Sequence, residues 1–158
     1  MIKDKRIILV GPAGAGKTFI SNKFRTAGYK EEISYTSRPI RLGEINGIDY
    51  NFVSKEEFLD MISTDELYEW AKHGDYFYGT RNEDFYNSDI FVWETEGVSK
   101  LKPLDRANSI IIFVNTPMNI RVKRMKERGW DLYDIYKRLK TDRIKFKSFN
   151  DFDLEIHS

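Results

Sequence analysis

Ile7-Ile8-Leu9-Val10-Gly11-Pro12-Ala13-Gly14-Ala15-Gly16-Lys17-Thr18 decides the fold of this 158-residue chain. Its first four residues are uniformly apolar and mostly β-branched, the pattern of a strand buried on both faces in the middle of a parallel sheet. The next eight are a complete G-x-x-x-x-G-K-[ST]. Triphosphate binding explains each position. The glycines let the backbone curl so that successive N–H groups point inward, and the helix that follows adds the positive end of its dipole. Lys17 is placed to reach the β- and γ-phosphates, and the Thr18 hydroxyl to ligate Mg²⁺. With ordinary glycine usage, chance produces this pattern in about one chain of such length per hundred or fewer. Gly11, Pro12, Ala13, Gly14, Ala15, Gly16, Lys17 and Thr18 are therefore the candidate ATP-binding residues.

Working outward, residues 17–27 read as a helix with Ile20 and Phe24 at helical spacing and Gly28 closing it. Residues 90–93 and 110–114 are two more strands of the buried type. Helices are expected over 119–128, ended by Gly129, and over about 134–146, with a last strand over 152–156. Alternating strands and helices imply right-handed βαβ units and a parallel sheet with helices on both faces. The middle third breaks that rhythm. Residues 34–47 are polar and rich in Arg, Gly and Pro, and 49–53 alternate like a strand. Ser54-Lys55-Glu56-Glu57 starts a helix with a capping box. Residues 67–72 and 76–78 flank a His73-Gly74-Asp75 turn and read as a hairpin. This is a β-rich unit inserted into an α/β core.

Composition narrows the function classes. Hydrophobic residues make up 41% and charged residues 32%, as in a globular domain. Lys+Arg 26 against Asp+Glu 25 leaves a net charge of +1, which argues against a global electrostatic grip on a nucleic acid or an acidic membrane. With Cys 0, thiolate metal sites and cysteine nucleophiles are excluded, and His73 and His157 alone cannot build a histidine-rich centre. The first apolar run is too short for a signal-peptide core, and residues 110–114 are too short to span a bilayer. A soluble, cytoplasmic protein is expected, a monomer or weak homodimer.

The loop alone does not separate a kinase from a GTPase, an ATPase or a motor. No Asn-Lys-x-Asp that would read guanine in a GTPase occurs in the chain. A small kinase needs a pocket for a second, phosphate-bearing substrate, and the inserted unit is the place for it. Ser34-Tyr35-Thr36-Ser37-Arg38-Pro39-Ile40-Arg41-Leu42-Gly43-Glu44 carries two arginines three residues apart, whose guanidinium forks match phosphate oxygens. Gly47-Ile48-Asp49-Tyr50, Leu67-Tyr68-Glu69-Trp70 and Tyr76-Phe77-Tyr78-Gly79-Thr80 follow in order.

In this order and spacing, these segments resemble the guanylate kinase family over nearly the whole chain. The resemblance implies ATP-dependent phosphorylation of GMP or dGMP, assisted by Mg²⁺, on a P-loop NTPase-type parallel sheet flanked by helices. It divides the chain into core (1–33, 81–123 and 139–158), an NMP-binding unit (34–80) and a short helical lid (124–138). It further implies that Arg38, Arg41, Tyr50 and Tyr78 hold the acceptor phosphate and that Glu44 orients the arginines. By the same resemblance Ser34, Glu69 and Thr80 are expected to read guanine beside Gly79, and Arg124, Arg128 and Arg138 to close over the phosphates. Lys17, Arg41 and the three lid arginines are the expected catalytic residues.

The chain also departs from the family pattern. Where an acid-x-acid pair is usual, it has Val92-Trp93-Glu94, which removes one carboxylate and leaves Glu94 to contact the guanine amine or to serve the metal. The segment from Thr80 to Ile90 is short, so a family helix must shrink to a turn or two. These changes keep open a kinase for another or modified nucleotide. A non-catalytic binding module of the same fold is the other reading, set against the intact loop.

Overall fold

The computed structural model describes residues 4–158. By their internal contacts these residues form two compact units, one comprising the chain up to Tyr29 together with Ile90–Ser158, the other Lys30–Asp89. The inserted unit is thus wider than the 34–80 span expected for it. It gains residues on both sides because Lys30 and Asp89 bind each other: the Lys30 N–H donates to the Asp89 carboxylate at 2.7 Å, and the Asp89 N–H donates to the Lys30 carbonyl at 2.8 Å.

The first unit is an α/β sandwich. Its sheet, in the order β6-β1-β7-β8, is wholly parallel and is built from β1 (Arg6–Val10), β6 (Ile90–Trp93), β7 (Ser109–Asn115) and β8 (Leu154–His157). The apolar run of β1 lies at its centre because Ile7, Ile8, Leu9 and Val10 are each at most 1% exposed. Ile7 pairs with Ile90 on one side and Ile110 on the other, so three apolar strands bury one another. Five helices among the described residues belong to this unit: α1 (Lys17–Thr26), α4 (Thr95–Ser99), α5 (Pro103–Ala107), α6 (Met118–Glu127) and α7 (Leu132–Phe146).

 α1 packs on β1 and β6, and Ile20 and Phe24 meet the core built on Ile7, Leu9, Ile90 and Val114. α4 and α5 have five residues each, too short for a 3.6-residue period to show in the sequence. β8 starts at Leu154 rather than at the expected residue 152. The Asp153 carboxylate takes the Ile111 N–H at 2.8 Å in place of a ladder carbonyl, and Phe152 turns onto Phe113 with ring centroids 5.3 Å apart.

The second unit has its own mixed sheet in the order β3-β2-β5-β4, from β2 (Tyr35–Thr36), β3 (Asn51–Phe52), β4 (Leu67–His73) and β5 (Tyr76–Arg81). The hairpin is the expected one, turned at Gly74 with φ 60. The strand expected over 49–53 shrinks to Asn51–Phe52, since Asp49 is held in a turn in which its carboxylate accepts the Ile45 N–H at 2.7 Å. Ser54 caps α2 (Lys55–Ser63) with the complete reciprocal capping box. The shortened segment after Thr80 forms α3 (Asn82–Asn87), whose Phe85 stacks on Tyr68 at 3.8 Å. Phe58, Met61, Leu67 and Phe77 make a separate small core.

Candidate functional site

The phosphate loop leaves the carboxyl end of β1, the edge of a parallel sheet where ligands bind in this class of fold. Its backbone is tightly determined. A side chain on Gly11 would come within 2.5 Å of the Val114 carbonyl, and Gly14 and Gly16 have φ 76 and 101. The Thr116 hydroxyl, past the end of β7, donates to the Ala15 carbonyl at 2.8 Å, and Arg124 on α6 donates to the Gly14 carbonyl at 3.0 Å. Lys17 folds back onto the Gly11 and Pro12 carbonyls. Burial pushes its ammonium down to about 8, against the opposing pull of Glu94. The Thr18 side chain is exposed on the first turn of α1.

A chain of charges runs through the first unit. The Ala13 N–H donates to the Asp142 carboxylate at 2.9 Å, and the other Asp142 oxygen lies 3.1 Å from Arg138. Arg138 pairs with Glu94 at 3.1 Å, and Glu94 pairs with Lys145 at 3.0 Å. Burial pushes Glu94 up, but Arg138, Lys145 and Lys17 together bring it down to about 2. Glu94 and Arg138 are therefore together, in the first unit. Arg128 is exposed at the end of α6. Sequence reasoning missed Asp142, which reads as a surface acid inside Lys137-Arg138-Leu139-Lys140-Thr141-Asp142-Arg143. Its place seven residues after the buried Ile135, on one face of α7, was the available signal. It also missed Arg121, whose Nε donates to the Thr116 carbonyl at 3.0 Å while a terminal nitrogen is buried without a partner among the described residues.

In the second unit, Arg38 is 6% exposed and its guanidinium meets the Glu44 carboxylate fork to fork, both bonds 2.9 Å. The same fork lies over the Tyr50 ring at 5.4 Å, and Tyr50 meets Tyr78 edge-on at 6.0 Å. The hydrogen bonds from Arg38 hold the Glu44 carboxyl below its ordinary range. Glu44 also accepts the Arg41 backbone N–H at 2.8 Å, while the Arg41 side chain is exposed. Glu69 and Thr80 are cross-strand partners of β4 and β5, at 9% and 0% exposure. Gly79 beside them has no room for a side chain, since a Cβ would lie 2.8 Å from the Glu69 carbonyl. Ser34 joins this cluster through Glu32, which its hydroxyl contacts at 2.9 Å and which sequence reasoning missed.

A buried strand feeding this loop at the edge of a parallel sheet, with a braced arginine and a carboxylate–hydroxyl cluster on an inserted sheet, defines a P-loop nucleoside monophosphate kinase. The family model described as guanylate kinase matches residues 3–158, and the chain belongs to the guanylate kinase family. It is 36% identical to a guanylate kinase of Malacoplasma penetrans over 98% of this chain and 85% of the relative. It is 31% identical to one of Synechococcus over 98% of this chain and 75% of the relative. The crystal structure of guanylate kinase from Anaplasma phagocytophilum matches with a TM-score of 0.75 at 26% identity, over 99% of this chain and 78% of that one. Among the described residues, no helix is long and apolar enough to cross a membrane.

Proposed function

We propose that the chain transfers the γ-phosphoryl group of ATP to GMP or dGMP, giving GDP or dGDP. The observation that carries this reading is that one inserted unit holds both the buried Glu69–Thr80 pair of its sheet and the Arg38–Glu44 fork. Guanine shows N1–H and its exocyclic amine as adjacent donors, which the Glu69 carboxylate accepts together. Its O6 is an acceptor, suited to the hydroxyls of Ser34 and Thr80. Adenine would set a lone pair against Glu69 and an amine against the hydroxyls, leaving buried groups unpaired and rejecting that base strongly. Arg38, braced by Glu44, holds the acceptor phosphate with Arg41, Tyr50 and Tyr78.

Gly11 to Thr18 hold the donor. The exposed Thr18 hydroxyl and the phosphate oxygens are hard oxygen donors of the kind Mg²⁺ takes, so the residues fit that ion. Bound there, it supplies neutralisation of charge on the phosphate oxygens. Lys17 leaves the loop carbonyls for the β- and γ-phosphates. Arg124, Arg128 and Arg138, between residues 124 and 138, offset charge on the transferring group. No residue has to be a strong base, because the acceptor oxygen is already anionic. The test is a phosphotransfer panel with Mg-ATP and nine acceptors: GMP, dGMP, AMP, dAMP, CMP, UMP, dCMP, dUMP and dTMP. Diphosphate formation from GMP and dGMP alone is expected. Formation from another base instead would overturn the assignment of Ser34, Glu69 and Thr80.

A further inference from the structure

Glu32 is 6% exposed, and one of its carboxyl oxygens is buried with no hydrogen-bond partner among the described residues. The other lies 2.9 Å from the Ser34 hydroxyl. The charged groups that bear on it most are both acidic, Glu69 from β4 and Asp84 from α3, and the Thr80 hydroxyl of β5 reaches it as well. A second carboxyl thus sits inside the cluster proposed to read the base, and nothing in the base-reading scheme uses it.

We propose that Glu32 is a specificity-setting residue of the base pocket, acting through Ser34: its proton decides whether the Ser34 hydroxyl faces the base as a donor or as an acceptor. The inference rests on the GMP kinase reading above. One hydrogen is shared along the Glu32–Ser34 contact. When Glu32 is neutral, its O–H donates to the Ser34 oxygen, and the Ser34 O–H is released to donate to guanine O6. When Glu32 is ionised, the Ser34 O–H turns to the carboxylate, and the serine presents lone pairs to O6, an acceptor against an acceptor. Removal from water pushes Glu32 up, Glu69 and Asp84 push the same way, and the hydroxyls of Ser34 and Thr80 oppose them; the carboxyl titrates at about 8. Below that pH the pocket is set for guanine, and above it the setting is lost.

The experiment is steady-state kinetics of the full chain between about pH 6 and pH 9, with saturating Mg-ATP, for the wild type and Glu32→Gln. The wild-type KM for GMP should be flat below the Glu32 titration and then rise by up to about tenfold per pH unit, with kcat little changed. The Gln amide donates to Ser34 at every pH, so the step should vanish in Glu32→Gln. A flat wild-type profile, or a step that survives the substitution, overturns the role of Glu32 while leaving the kinase reading intact. Absence of GMP phosphorylation at any pH overturns both. Carbon-13 NMR of the glutamate carboxyls in the unmutated protein gives an independent readout. By linkage, GMP must raise the pKa of the carboxyl that titrates near 8, and a fall on adding GMP contradicts the proposal.

Discussion

Glu94 in the sheet unit is half-buried and Glu32 in the inserted unit is buried, and the two carboxyls are driven in opposite directions. Glu94 lies among Arg138, Lys145 and Lys17 and goes down to about 2, whereas Glu32 lies among Glu69 and Asp84 and goes up to about 8. The sheet unit handles charge by pairing it, from Asp142 through Arg138 and Glu94 to Lys145. In the cluster proposed to read the base, burial and the neighbouring Glu69 and Asp84 instead favour a retained proton on Glu32. Paired charges suit a loop that receives a polyanion, and a retained proton suits a pocket that must present donors to one base edge.

The largest expected effect lies in the sheet unit. Lys17→Ala should lower kcat by about 10³-fold with an unchanged circular dichroism spectrum, because only this ammonium is proposed to reach the transferring phosphate. Next comes the inserted unit. Glu69→Gln sets an amide N–H against guanine N1–H and should lower the kcat/KM ratio of GMP to AMP by on the order of 10²-fold. An unchanged ratio would remove Glu69 from base reading.

Stability against pH sharpens the contrast. Between about 4.5 and 8 the folded chain keeps the Glu32 proton that the unfolded chain has released, so this carboxyl costs stability as pH rises through that window. Glu32→Gln should therefore stabilise the chain at pH 8 by on the order of 3 kcal/mol in urea unfolding. Glu94 acts in the other sense. Its contribution is present above about 4.5 and is lost as pH falls towards 2, so Glu94→Gln should destabilise at neutral pH and narrow the gap at acid pH. The smallest effect is local: Ser54→Ala removes the α2 capping box and should cost about 1 kcal/mol without moving the KM for ATP.

The β1–loop–α1 segment was legible because a uniform apolar run, glycines and a lysine act within twelve residues of one another. The capping box at Ser54 and the hairpin at Gly74 are equally local signals. β2 was not legible. Tyr35–Thr36 has two residues, and it exists through pairing with Asn51–Phe52 and with Tyr78 and Gly79, far along the chain. Glu31-Glu32 reads as a solvated acidic pair, and only folding closes β4, β5 and α3 around the second of them. The alternation of Glu32, Ser34 and Thr36, residues of one face in an extended segment, was the signal present. Asp142 was hidden for a related reason, since the loop N–H that it caps lies 129 residues away.

Hydrogen–deuterium exchange with one nucleotide at a time tests most directly the claim that the two units divide the reading of donor and acceptor. GMP alone should protect amides around residues 34–38, 69 and 78–80, and a non-hydrolysable ATP analogue with Mg²⁺ should protect residues 11–18. Protection of the loop by GMP with no change between residues 30 and 89 would contradict the account.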